Sequence, residues 1–107
     1  MVVWRRNRKG GCLIGNLSTA LSDTHAAIRK RLGECFNEMA AEFRVHLDAA
    51  AAQRGLAGDQ DIDELSRYIV SVTEGAIILF RPHRDVGIIE RQVHHLKEDL
   101  KRSFQTT

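Results

Sequence analysis

Proline and aromatic residues are scarce in this sequence of 107 residues, which has one proline, four phenylalanines, one tryptophan and one tyrosine. That composition argues against a many-stranded β-sandwich, and the repeated Ala, Leu, Arg and Glu favour helices. The longest apolar stretch, Gly75–Phe80, is far shorter than the roughly 18 residues that a membrane-spanning helix needs, so we expect no membrane contact. Met1–Lys9 has no apolar centre like that of a signal peptide. Two cysteines are too few for a disulfide scaffold, which favours a reducing cytoplasm.

Positive charge is concentrated at the N-terminus. The net charge is +2, and four cations lie close together in the first nine residues: Arg5, Arg6, Arg8 and Lys9. The remaining chain is close to neutral and offers no broad basic face for phosphate contacts, so we expect no direct DNA binding. We predict that residues 1–9 form a flexible basic leader. The alternative is that these cations contact nucleic acid while Trp4 stacks on a base.

Apolar residues at spacings of three and four predict three long helices, preceded by a short apolar turn or helical piece over Cys12–Leu17. Ser22 or Asp23 is expected to cap the first long helix, since their side-chain oxygens can accept from the free amides of the first turn. This helix is predicted to run to Arg54, where Gly55 stops it.

The other two helices are predicted to form an antiparallel hairpin. Asp61 caps the second helix, which is expected to end at Arg81 because the residue before a proline avoids helical torsions. The third helix is predicted to begin at Asp85 and to finish near Phe104. Because the link Pro82–Arg84 is short, the two helices should lie side by side. The expected fold is therefore all-α, with a short helical segment and three long helices.

The second long helix carries more apolar residues than one inward stripe needs. That stripe is Ile62, Leu65, Ile69, Val72, Ala76 and Leu79. Ile77, Ile78 and Phe80 lie outside it, and a helix that is apolar most of the way round must be covered most of the way round. Two hairpins from two copies would form a four-helix bundle that covers them. The alternative is a monomer in which Ile77 or Ile78 packs under the segment Gly10–Leu21.

We predict a homodimer interface on the hairpin. A glycine inside a helix costs about 1 kcal/mol relative to alanine, and close approach of a neighbouring backbone would explain one there. The predicted interface residues are Gly75, Ile77, Ile78, Phe80, Ile89, Val93, Leu96 and Leu100.

Three segments resemble a known family. The run Gly11–Leu17 resembles the segment that opens the C-terminal half of many TetR-family transcriptional regulators. Thr73–Leu79 followed by Arg81 is similar to the dimer-interface helix of that family, and Asp85 with Ile89–Leu100 is similar to its final helix.

The resemblance extends over about residues 10–104 and implies a specific domain. It implies an effector-binding and dimerisation domain of a repressor-type regulator over residues 10–107. The family's N-terminal three-helix DNA-binding region, with its helix-turn-helix, has no counterpart in this sequence. Effector binding in such a regulator controls the spacing of two DNA-reading heads.

The resemblance also implies where an effector pocket would lie. In the family the pocket is inside the helical domain and is walled partly by helices that have no counterpart here. The low polarity of the expected lining favours a small apolar or aromatic effector. Ordinary core packing is the alternative for each of these residues. The predicted lining residues are Cys12, Leu13, Asn16, Phe36, Met39, Phe43, Tyr68 and Val72.

Cys12 and the histidines are candidates for other chemistry. Cations near Cys12 would lower the pKa of its thiol and suit a sensor of oxidants or electrophiles, whereas a small buried hydrophobe is the plainer interpretation. Glu90, His94 and Glu98 share one helical face, but two or three ligands from one helix lack a converging partner. A solvated face is favoured, and we expect no metal and no cofactor.

Two functions therefore remain open. Because no nucleophile elbow, phosphate loop or paired-glycine nucleotide motif is present, we expect no enzymatic activity. The first hypothesis is the effector-binding, homodimeric domain. The alternative is a stand-alone helical interaction module that binds no effector and pairs with a full-length regulator.

Overall fold

Four helices make up the part of the chain that the structure describes. The computed structural model describes residues 12–56 and 61–105, so the predicted basic leader lies outside it. Helix α1 spans Leu13–Leu21, α2 spans Ala26–Gln53, α3 spans Ile62–His83 and α4 spans Val86–Ser103. Within those two ranges there is no strand, and the all-α prediction is confirmed.

The junction between α1 and α2 differs from the prediction. Ser22 does not start α2 but closes α1, where its backbone N–H donates to the carbonyl of Ser18 at 3.2 Å. The N-cap of α2 is His25, which makes no side-chain capping bond. Because α1 continues to Leu21 rather than ending near residue 17, the turn and the start of α2 come later than expected.

The end of α2 and the start of α3 confirm the predicted signals. Gly55 has a φ of +69°, the left-handed conformation that favours glycine just after a helix. The carboxylate of Asp61 accepts a hydrogen bond from the backbone N–H of Glu64 at 3.1 Å. An aspartate cap of this kind stabilises a helix by about 1 kcal/mol.

The prediction that α3 ends at Arg81 is wrong. Pro82 lies inside the last turn, where it cannot donate to the carbonyl of Ile78, four residues earlier. The helix closes instead at Arg84, which has a φ of 54° and whose N–H donates to the carbonyl of Phe80 at 2.7 Å. Pro82 is tolerated because it is exposed and lies so near the helix end that few hydrogen bonds follow it.

Helices α3 and α4 form the predicted antiparallel hairpin. Asp85 caps α4, and its carboxylate accepts from the N–H of Gly87 at 2.9 Å. At the far end of the hairpin, the hydroxyl of Tyr68 donates to the carboxylate of Asp99. This bond raises the pKa of Tyr68 and lowers that of Asp99, because it is strongest when the phenol is protonated and the carboxylate is charged.

The main core lies where α2, α3 and α4 meet. Helix α3 packs against both α2 and α4, while α1 packs on α2. The buried cluster consists of Leu47, Ala51, Ile69, Leu96 and Phe104. Helix α3 therefore has neighbours on two sides, and it needs two inward-facing apolar stripes.

This central position explains much of the apolar surplus of α3. Ile77 and Phe80 are only 3% and 6% exposed within a single chain, so the expectation that one copy cannot shelter them is wrong. Ile78 is 52% exposed, as expected for an apolar residue that lies outside the inward stripe. Leu79, which the sequence pattern placed on the inward stripe, is 51% exposed.

Candidate ligand-binding groove

A groove of about 390 Å³ lies between α2 and α3. Its lining combines three apolar side chains with four polar ones. The apolar ones are Phe36, Ala40 and Val70, and the polar ones are Asn37, Arg67, Ser71 and Glu74. A cavity of this size, whose exposed surface is mostly apolar while several polar groups line it, is typical of a small-molecule site.

Helical spacing brings these residues together. On α3 the four lining residues lie at positions 67, 70, 71 and 74, which is a single helical face. On α2 they lie at positions 36, 37 and 40, and the two faces meet because the helices pack side by side. The groove is thus a product of helix packing and not of any loop.

One end of the groove continues into a smaller polar cavity of about 230 Å³, which shares Asn37, Ala40 and Arg67. An ion pair between Arg44 and Asp63, 3.0 Å apart, joins α2 to α3 beside it. This pair is exposed, so it contributes little to stability, but it marks the polar end of the groove.

The other end of the groove is bounded by α1. The carboxylate of Glu74 lies near the thiol of Cys12 and raises its pKa. A Cβ atom at Gly15 would overlap a carboxylate oxygen of Glu74, so the glycine allows α1 to approach α3 this closely. Glu74 therefore connects the groove to α1.

Burial raises the pKa of the Cys12 thiol, and the carboxylate of Glu74 raises it further. The backbone N–H groups of Gly15 and Ile14 act in the opposite direction but are outweighed. The sensor interpretation of Cys12 expected a lowered pKa. The direction is the reverse because a half-buried thiol next to a carboxylate favours its protonated form.

This shift predicts slow alkylation of Cys12. In a Cys35→Ser background, iodoacetamide should react with Cys12 more slowly than with a small free thiol, and the rate should rise only at a pH above the usual range for cysteine. Glu74→Gln should lower the thiol pKa and speed the reaction at pH 8. Glu90→Gln is the matched control, and equal rates for both variants would contradict the contact.

The predicted lining residues do not converge on one cavity. Phe36 lines the groove, and Cys12 reaches it through Glu74. Leu13 is exposed. Asn16 accepts a hydrogen bond from the guanidinium of Arg81 at 3.0 Å, which ties α1 to the end of α3.

The other predicted lining residues face elsewhere. Phe43 and Val72 pack against the main core. Tyr68 lies on the side of α3 that faces α4, bonded to Asp99. Met39 is half-buried.

Sequence reasoning missed all four polar residues of the groove, which are Asn37, Arg67, Ser71 and Glu74. They alternate with apolar residues along α2 and α3 and look like ordinary surface residues. The signal that could have found them is the second stripe of α3, which contains Ser66, Val70 and Ile77, all buried. That stripe shows which face of α3 meets α2.

Comparison with known families shows to which family this chain belongs. A family model described as Tetracyclin repressor-like, C-terminal domain matches residues 1–96. This chain belongs to that family. The match begins at residue 1, whereas the resemblance noted in the sequence begins near residue 10. Comparisons with curated proteins and with solved structures gave no match.

The hairpin of this tetracyclin repressor-like domain exposes a group of apolar side chains near its tip. Ile78, Leu79 and Val86, here called the hairpin patch, are each about half exposed. Gly75 lies one turn before Ile78 and Leu79, and no atom comes within 4 Å of the position that a Cβ would take there. The space above Gly75 is open in the single chain, as close approach of another helix would require.

The predicted interface residues of this tetracyclin repressor-like domain differ in how far the single chain buries them. Ile77, Phe80 and Leu96 are buried by the chain's own helices, so a partner would meet the other predicted residues before them. Ile89, Val93 and Leu100 on α4 are half-buried.

The described residues of the domain hold neither a metal site nor a membrane-spanning helix. Glu90 and His94 are exposed, and the rings of His94 and His95 pack edge to face at 5.8 Å. Residues 12–56 and 61–105 contain no group of three or more His, Cys, Asp or Glu side chains placed to hold a metal ion. Over the same ranges, no helix has both the length and the apolar character required to cross a bilayer.

Proposed function

We propose that this chain is the ligand-sensing and homodimerisation domain of a TetR-family transcriptional regulator of the repressor type. A small effector in the groove between α2 and α3 would control DNA binding by an N-terminal domain of the regulator. The observation that supports this proposal is the groove of about 390 Å³, which has the size and mixed lining of a small-molecule site.

The lining favours an apolar or aromatic effector with a polar group at one end. Phe36 and Val70 offer the apolar contact, and Phe36 is the one aromatic side chain in the lining. Glu74 provides a carboxylate at the end next to α1. A donor group on the effector, such as an amine or amide N–H, would satisfy that carboxylate.

Glu74 offers a route by which the effector could change the position of α1. The carboxylate that lines the groove also lies against Gly15 and near the thiol of Cys12. An effector that draws Glu74 toward the groove would remove a contact that holds α1 against α3. Coupling of this kind requires that the two arrangements of α1 differ in their affinity for the effector.

Exposed apolar side chains and the open space at Gly75 support the dimerisation part of the proposal. Exposed apolar patches near a surface glycine are typical of interfaces, and the hairpin patch beside Gly75 has both features. Two hairpins placed face to face would form a four-helix bundle.

A thermal-shift screen tests effector binding. The full chain is heated with each member of a panel of small apolar and aromatic compounds. A compound present at 100 times its dissociation constant should stabilise the fold by about 2.7 kcal/mol. Ser71→Phe, which fills the groove, should abolish the shift. Ala52→Phe, which introduces the same side chain at an exposed position of α2, should leave it intact.

Two results would count against effector binding in this groove. One is that no compound in a chemically broad panel stabilises the chain. The other is that Ser71→Phe and Ala52→Phe respond alike. If the chain responds to no compound but forms mixed dimers with a full-length regulator, it is the interaction module instead.

A further inference from the structure

We propose a second binding site, for a small amphipathic carboxylate such as a medium-chain fatty acid, between the C-terminal halves of α2 and α4. This site goes beyond the proposed function, because none of its residues lines the groove between α2 and α3. Its cavity is about 310 Å³. The lining residues are Leu47, Ala50, Arg54, Lys97, Leu100, Lys101 and Phe104.

The floor of this second site is apolar. Leu47 and Phe104 belong to the buried core cluster, and Ala50 and Leu100 beside them are half-buried. The surface that the cavity exposes is almost entirely carbon. An aliphatic chain laid on this floor would leave water and contact the core directly, which is favourable in proportion to the apolar area covered.

The rim of the second site carries only positive charge. Arg54, Lys97 and Lys101 line the cavity, and no lining residue is acidic. Lys101 has a partner in Glu98 at 3.3 Å, and the guanidinium of Arg54 donates to the carbonyl of Phe104 at 3.5 Å. Within the described part of the chain, Lys97 has neither a hydrogen bond nor an ion pair. A carboxylate would therefore find an unmatched ammonium group here.

Helix dipoles explain why Arg54 and Lys101 lie at this site, but they do not explain the position of Lys97. Arg54 and Lys101 lie at the C-terminal ends of α2 and α4, where the dipoles favour cations. Lys97 lies more than one turn before the end of α4, where the dipole effect has already faded. An apolar floor beside this lysine matches a ligand with a short alkyl or aryl body and one negative charge.

Isothermal titration calorimetry with octanoate and octan-1-ol tests the proposal. The two probes share a chain length and differ in charge, so octanoate should bind the full chain more tightly. Lys97→Glu should weaken octanoate binding by roughly fivefold or more, because it replaces an attraction by a repulsion. Lys30→Glu makes the same charge change at a distant exposed position and should have no effect.

A second pair of variants locates the chain of the probe. Ala50→Phe should fill the cavity and abolish octanoate binding, whereas Ala49→Phe, on the exposed side of α2, should not. Equal binding of the two probes, or equal affinity in Lys97→Glu and Lys30→Glu, would overturn the proposal. Loss of octanoate binding in Ser71→Phe but not in Ala50→Phe would also overturn it, and would leave the effector groove intact.

Discussion

The double substitution Ile78→Glu with Leu79→Glu is expected to convert the proposed dimer, of twice 12.1 kDa, into single chains. Both side chains are about half exposed in one copy, so the change should leave the fold of each chain intact. At an interface, however, each glutamate would bury an unpaired carboxylate. Losing a central contact typically costs about 2 kcal/mol or more, so the dissociation constant should rise by at least about 30-fold. Sedimentation velocity at several concentrations measures this.

Val45→Glu is the matched control for the double substitution. Val45 is 66% exposed on α2 and lies outside the predicted interface, so its replacement should not change the dissociation constant. The interface proposal fails if wild-type protein sediments as a single chain of 12.1 kDa at micromolar concentration. It also fails if the double variant remains a dimer.

A pair of glycine substitutions tests the same interface from the opposite direction. Gly33 and Gly75 both lie in helix interiors, and an added Cβ meets no atom within 4 Å at either one. In a single chain, replacement of either by alanine should therefore stabilise the helix by up to about 1 kcal/mol. If another helix approaches Gly75, only Gly75→Ala should also weaken the dimer.

Ile69→Ala is expected to lower the free energy of unfolding by about 2–5 kcal/mol. Ile69 is 6% exposed on the central helix, and it belongs to the cluster that joins Leu47 of α2 to Leu96 of α4. Removing its side chain leaves a cavity that three helices would have to close together. A domain of this size is stabilised by only about 5–15 kcal/mol in total, so the loss is a large fraction.

Urea unfolding at a fixed protein concentration measures this effect. Ile28→Ala removes the same side chain where 37% of the residue is exposed, and its cost should be well under that of Ile69→Ala. Equal costs for the two variants would contradict the position of Ile69 in the core. Holding the concentration fixed matters because the proposed dimerisation would add to the apparent stability.

Local signals in the sequence predicted the helices well. Asp61 caps α3 as expected, Asp85 lies at the predicted start of α4, and Gly55 follows α2 in the left-handed conformation. Each of these depends on a side chain and a backbone only a few residues apart, so the sequence contains the whole interaction. The wrong predictions about the helices themselves concern two of their ends, at Ser22 and at Pro82. At Pro82, for example, the left-handed turn at Arg84 allowed α3 to continue past the proline.

The candidate site could not be predicted in the same way. Of the residues expected to form one pocket, Phe36 lines the groove, while Phe43 and Val72 pack in the core and Tyr68 bonds to Asp99. Periodicity shows that these residues are apolar and lie on a helix, but not which neighbour each one faces. That choice depends on how the helices are rotated against one another.

The sequence by itself determined that the chain forms helices, where most of them begin and end, and that the last two make a hairpin. These properties follow from backbone hydrogen bonds, caps and apolar spacing within short stretches. Only the tertiary structure decided that α3 is the central helix, that Ile77 and Phe80 are sheltered inside one copy, and that Glu74 lies between the groove and α1. The reason is that side-chain burial depends on which helices pack together, and such contacts join residues far apart in the chain.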